Sequence, residues 1–128
     1  MTDWLATCRA AVEDVRLVLA ELPTRVEREP VVGAGMGGDE TTAIDAAAER
    51  VILARLEGPD RRIVSEEIGI RGEGRWTIVV DPIDGSLNAK RGLPFFSLSI
   101  AVADGETMPQ KSTYFYPKLP SGLLFLPL

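Results

Sequence analysis

The chain has 128 residues, enough for one domain with its own core or for part of a larger one. Its 14 basic and 19 acidic residues leave a net charge of −5, which argues against nucleic acid as the main partner, because a phosphate backbone demands a basic surface. Histidine is absent and Cys8 is the only cysteine, so His-based triads, imidazole metal sites, Cys-based zinc sites and internal disulfides are all excluded. Acid–base or metal chemistry then falls to carboxylates, hydroxyls and backbone groups.

In chain order, Trp4, Cys8, Val12, Val15, Leu19 and Leu22 recur every three or four residues and predict an amphipathic helix. Thr2 or Asp3 can cap it, and Pro23 ends it. The charges in this segment exclude a signal peptide, and no apolar run reaches membrane-spanning length, so a cytoplasmic protein with no membrane partner is expected. Residues 24–40 read as a connector, charged and then glycine-rich. A second helix is predicted over Thr42–Leu56, with Ile44, Ala47, Ala48, Val51 and Leu56 on one face, stopped by Gly58-Pro59-Asp60. Strands follow in "RIVSEE", in "RWTIVVDP", whose continuous apolar run suits burial on both faces, and in the alternating "FFSLSIAVAD". "STYFYP" and "LLFLPL" predict a final hairpin. Its last strand has no following element to complete its burial, so the chain is expected to be shorter than its fold or to complete itself by association, with a homodimer as one form. Trp4, Trp76, Phe95 and Phe96 are expected in the core.

Two stretches invite a functional reading. Gly33, Gly35 and Gly38 fall in the spacing G-x-G-x-x-G, which in a dinucleotide-binding turn follows a buried strand and opens a helix. Here the preceding residues are "TRVEREP", with only Val31 and Val32 left as strand, so a flexible loop leading into a capped helix is the competing reading.

The second stretch is "DPIDGSLN", residues 81–88, at the end of an apolar strand. Pro82 restricts Asp81 to extended backbone, and a turn can return Asp84 beside it. Two carboxylates so close repel unless a cation lies between them, and hard oxygen ligands suit Mg²⁺. Gly85 lets the chain turn and leaves the amides of Gly85, Ser86 and Leu87 free to bind an anion, phosphate above all. A plain Asp-Pro-x-Asp-Gly surface turn has the same composition. Against it stands "SEE" at 65–67, which ends the neighbouring predicted strand and can aim Glu66 into the same space.

Glu66-Glu67 followed by "WTIVVDPIDGSLN" resembles the inositol monophosphatase family, lithium-sensitive, Mg²⁺-dependent sugar phosphatases that include fructose-1,6-bisphosphatases. The stretches "GMGGDETTAIDAAAE" and "NAKRGLPFFSLSIAVADG" are most similar to the branch acting on both inositol phosphates and fructose 1,6-bisphosphate. The resemblance implies an α+β fold: the N-terminal part of a layered αβαβα arrangement, with two long helices packed on a mixed, largely antiparallel sheet. Residues 1–128 would be that part alone, lacking the C-terminal half and its W-D-x-A-[AG] metal-ligand motif. It further implies a first Mg²⁺ held by Glu66, Asp81 and the carbonyl of Ile83, and a second held by Asp81 and Asp84. Phosphate would rest on the amides of Gly85, Ser86 and Leu87. Asp45 and the Ser86 hydroxyl would position or deprotonate the attacking water, with Glu66 completing the catalytic group. Thr42-x-x-Asp45 is equally a helix-capping pattern, and one residue can do both. Lys90 and Arg91 can meet a second phosphate or simply end a short helix. The implied reaction is hydrolysis of a phosphate monoester. The alternatives are a non-catalytic phosphate- or metal-binding remnant of the fold, or a dinucleotide-binding module built on Gly33–Gly38.

Overall fold

The structure is a computed structural model that describes residues 2–36 and 38–105, together with the backbone of strand 122–127. Helix α1 (Trp4–Ala20) begins where the Asp3 carboxylate accepts from the Ala6 amide at 3.0 Å, so Asp3 rather than Thr2 supplies the cap. Its stripe of Trp4, Cys8, Ala11, Val12, Val15 and Leu19 is buried as the spacing predicts. Helix α3 (Ala43–Leu56) packs beside it, with Asp14 on α1 and Arg55 on α3 paired at 2.8 Å across their exposed flanks. The core face of α3 is wider than the sequence reading has it. Ile52 and Leu53 are buried, whereas Val51 lies only at the margin. Alanines at 46–48 let neighbours approach from several sides, so α3 has little amphipathic contrast.

The two long helices lie against a five-stranded sheet of order β4-β3-β5-β6-β7, formed by β3 (Arg61–Ser65), β4 (Gly69–Arg71), β5 (Trp76–Asp84), β6 (Ser97–Asp104) and β7 (Gly122–Pro127). Among the described residues only β3 and β5 of this sheet run parallel; its other pairings are antiparallel. This is the mixed, largely antiparallel α+β arrangement expected. Ile63, Ile78, Val80, Leu98, Ile100 and Val102 send their side chains to the helices and form the core with them. Each such fully buried aliphatic side chain contributes about 1.5–3 kcal/mol relative to exposure. At the far edge of this core Trp4 and Trp76 meet with ring centroids 5.4 Å apart, and the Arg61 guanidinium lies 4.9 Å from the Trp4 ring centre.

Two expectations need correction, and a third is tested only in part. Residues 24–40 are not a plain connector: they hold a one-turn helix α2 (Arg25–Arg28) and a hairpin of β1 (Val31–Ala34) with β2 (Glu40–Thr42). The hairpin is exposed along β1, so no hydrophobic alternation announces it. Phe95 is not core; it is 74% exposed, because the inward alternation of β6 starts with Phe96 and its neighbour must point the other way. The final hairpin is only half visible. "LLFLPL" forms most of β7 and pairs with β6, while "STYFYP" at 112–117 lies outside the described residues.

Cys8 sits on the buried face of α1, and burial pushes its thiol up to about 11. From the thiolate fraction alone, it should react with a disulfide reagent at pH 8 about a hundredfold more slowly in the native protein than in denaturant. Equal rates in the two states would show that α1 does not bury this residue.

Candidate active site at the ends of the parallel strands

The parallel register of β3 and β5 sets the geometry. Ser65 pairs with Val80 on the core face, so the next residues, Glu66 and Asp81, turn to the opposite face side by side. Ser65 itself donates to the buried carboxylate of Glu49 on α3. Strand β5 then carries an irregularity against β6: Asp81 pairs with Ser99 and Asp84 with Ser97. Three residues are advanced on β5 for two on β6, which is a β-bulge. The inserted residue lets Ile83 drop into the core while Asp81 and Asp84 share one face. The Asp-Pro-x-Asp spacing is therefore the spacing of a bulge and not only that of a turn.

Past Asp84 the chain reverses at Gly85, whose φ of 92° lies in the left-handed region, and enters the short helix α4 (Ser86–Lys90). The left-handed backbone favours glycine, and a Cβ at 85 would also stand a tight 3.1 Å from the Phe95 carbonyl. The Asn88 side chain donates to that same carbonyl at 2.9 Å, folding the following loop back over the turn.

These elements bound a cavity of about 460 Å³ outside the carboxyl ends of β3 and β5. Of the candidate catalytic, metal and phosphate residues, Asp45, Glu66, Asp81, Ile83 and Ser86 line it, together with Gly38, Thr42, Pro82 and Lys90. Asp45 reaches it from the first turn of α3, where it accepts from the Thr42 amide at 3.2 Å and from the Thr42 hydroxyl. The capping reading is thus realised, with the same carboxyl on the cavity wall. Asp84 is the exception. Its carboxylate is exposed and faces Ser99 Oγ at 3.4 Å, outside the cavity lining. Gly85 and Leu87 are likewise exposed and off the lining.

The cavity is electrostatically unbalanced. Burial, with the negative charges of Glu66, Asp84 and Asp45 nearby, pushes the Asp81 carboxyl up to about 6 despite a hydrogen bond from the Ile83 amide. Glu67 is also held above the usual carboxylate range, first by burial and then by Asp45, Glu49 and Glu66, although the Thr41 hydroxyl donates to it. Among the lining residues Lys90 is the one base facing Asp39, Glu40, Asp45, Glu66, Glu67 and Asp81. All-oxygen donors and uncompensated negative charge fit a hard divalent cation. The acids do not form a closed ligand set: among the described residues no group of three or more is arranged to hold a metal ion. Glu66 and Asp81 thus share the cavity wall, while Asp84, close enough to influence Asp81, stands off the lining.

Lys90, read as a candidate contact for a second phosphate, lines the cavity, and so does Glu67, to which the resemblance assigns no role. Glu67 had an available signal, its adjacency to Glu66. Strict alternation would separate the two, but a turn begins at Glu66 and brings both to the cavity. The glycine run finds its use here. Gly33 lies in β1, and Gly35 and Gly38 shape the turn into β2, so there is no strand–turn–helix for a dinucleotide. A Cβ at Gly35 would stand 2.9 Å from Glu67 Oε2, and the Met36 amide donates to the Glu67 carbonyl at 3.0 Å. Glycine at 35 lets the hairpin close onto the acidic corner.

The sequence pattern of the inositol monophosphatase family matches residues 4–110, and the chain belongs to that family. It is 36% identical over 113 residues to a fructose-1,6-bisphosphatase/inositol-1-monophosphatase of Archaeoglobus fulgidus, covering 88% of this chain and 44% of the relative. The enzyme of the same description from Methanocaldococcus jannaschii is 43% identical over 79 residues, 61% of this chain and 31% of its own length. A solved inositol monophosphatase–fructose 1,6-bisphosphatase superposes with a TM-score of 0.72 at 33% identity, over 80% of this chain and 41% of that one. A fructose-1,6-bisphosphatase of Leishmania major, at 18% identity, shares the fold with a TM-score of 0.66. The chain thus spans less than half the length of these relatives. Among the described residues no helix is long and apolar enough to cross a membrane.

Two substitutions test this local architecture. Gly85→Ala should destabilise the protein by about 1–2 kcal/mol through the left-handed backbone alone, measured by urea unfolding. Thr42→Val should cost about 1 kcal/mol by removing the cap, while Thr42→Ser should recover most of it.

Proposed function

We propose that this chain supplies the cation- and phosphate-binding part of a Mg²⁺-dependent phosphomonoesterase acting on sugar or inositol phosphates, with inositol monophosphate and fructose 1,6-bisphosphate as the first substrates to test. The observation that carries the proposal is the placement of Glu66 and Asp81 on one cavity wall beside Ser86, with too little positive charge to balance them. The activities of the Archaeoglobus and Methanocaldococcus relatives support the substrate class.

In this reading Glu66, Asp81 and the Ile83 carbonyl would hold one cation, and Asp81 and Asp84 would hold a second. A bound divalent ion lowers the pKa of water toward neutrality and offsets charge on the departing oxygen. The chain's own groups do the rest. The amides of Gly85, Ser86 and Leu87 bind the phosphate oxygens and fix the phosphorus for in-line attack. The Ser86 hydroxyl orients the attacking water, and Asp45, held by Thr42, accepts its proton. The oxygen–phosphorus ester bond breaks, its electron pair leaves with the sugar oxygen, that oxygen takes a proton from solvent water, and inorganic phosphate and the free alcohol result. Glu67 stays tied to Thr41 and keeps the hairpin against the site. Lys90 is placed to meet a second anionic group of a bisphosphate.

A second reading, cation and phosphate binding without turnover, is favoured by one observation, the outward position of Asp84. Phosphate release from inositol monophosphate and fructose 1,6-bisphosphate, with and without Mg²⁺, separates the two. Hydrolysis requires release that depends on Mg²⁺ and falls at least a hundredfold in Asp84→Asn. Release that ignores Mg²⁺ or survives the substitution overturns the mechanism. Binding without release selects the second reading.

Cation binding has its own readout. Because burial and then like charge oppose ionised Asp81 in the folded state, Mg²⁺ should raise the unfolding midpoint, as any ligand of the native state does. Asp81→Asn should be at least as stable without Mg²⁺ and gain nothing from it. An equal Mg²⁺ response in both proteins would place the ion elsewhere.

A further inference from the structure

Outside the acidic cavity, one half-buried cation spans the molecule. Arg28, the last residue of α2, directs its guanidinium away from solvent and donates to three backbone carbonyls. Nε donates to Leu22, Nη2 to Leu19 at 3.4 Å, and Nη1 to Ala89 at 2.8 Å. The first two carbonyls belong to the end of α1 and the residues just after it. The third lies 61 positions away, in α4, flanked by Lys90 and three residues on from Ser86, both of which line the cavity.

The placement matters because α4 is poorly held by itself. It is five residues long, begins on a left-handed glycine, and buries only the side chain of Ala89. Two of its amides, Asn88 and Ala89, both turn back to the single Gly85 carbonyl, at 3.0 and 3.2 Å. A segment this short has no cooperative helical stability to hold its position. The planar guanidinium, charged at every working pH, presents its donors in a rigid fork, and here the fork bridges the end of a long, core-packed helix to the backbone of this segment. A lysine, with a single compact head, cannot make all three contacts at once.

We propose that Arg28 is a positioning residue: it anchors α4 to the C-terminal end of α1 and thereby sets where Ser86 and the turn at 85–87 stand in the cavity. The inference rests on the phosphate-site reading above, and its test separates the two. The measurements are hydrogen exchange at the Asn88 and Ala89 amides and titration with inorganic phosphate in the presence of Mg²⁺. They are made on the whole chain, on Arg28→Met and on Arg28→Lys. The expected result is exchange at 88 and 89 at least tenfold faster in Arg28→Met, with the amides of α1, α3 and β5 unchanged, and phosphate affinity lowered about tenfold. Arg28→Lys should fall between, and it carries the test should Arg28→Met fail to fold. Unchanged exchange at 88 and 89 overturns the anchor. Faster exchange with unchanged phosphate affinity also overturns it, because the residue would then be structural without positioning the site. If the unsubstituted chain binds no phosphate, the phosphate-site reading itself falls, and the positioning role with it.

Discussion

Two parallel strands, β3 and β5, bring carboxylates to the same place, and the fold must hold them there against their repulsion. The register makes Glu66 and Asp81 neighbours, and the bulge at 81–84 adds the influence of Asp84. Asp81 bears the cost, since its partial burial and its neighbours both disfavour its charge. A folded protein accepts such crowding when the surrounding core is strong enough to over-determine it. Here the apolar faces of β5 and β6, packed under α1 and α3, supply that strength.

The rest of the architecture follows from keeping this acidic corner in place. Helix α3 delivers Asp45 from its first turn and Glu49 from its second, the former to the cavity and the latter to a buried bond with Ser65. The β1–β2 hairpin reaches over and fastens Glu67 through Thr41 and the Met36 amide. Lys90 brings in positive charge, but too little to balance six lining acids. The negative excess is the physical reason to look for a cation, and family membership is the independent one.

Much of the framework was readable from the chain itself. The stripe at Trp4, Cys8, Val12, Val15 and Leu19 gave α1, and the capping pattern at Thr42 and Asp45 gave the start of α3, because both depend on interactions within a turn or two. The apolar run before Asp81 marked a strand buried among others. Other features were not readable, and each for a stated reason. The hairpin at 31–42 lies exposed along β1, so it carries no hydrophobic period. The direction of Phe95 depends on where the β6 alternation starts, which no local preference sets. Asp84 turns out to Ser99 because of pairing with β6, a partner whose register is invisible in the DPID segment.

By itself, then, the sequence determined which residue types are available for chemistry. Without histidine, and with one buried cysteine, only carboxylates, hydroxyls and amides remain, and the motif at 81–88 gathers all three within one short segment. Tertiary structure decided which of them meet. The parallel register joined Glu66 to Asp81, a glycine without a side chain let Glu67 approach the hairpin, and Arg28 reached across 61 residues to α4. Such contacts form between segments distant along the chain. Their energies depend on strand pairing and packing that no local run of residues encodes.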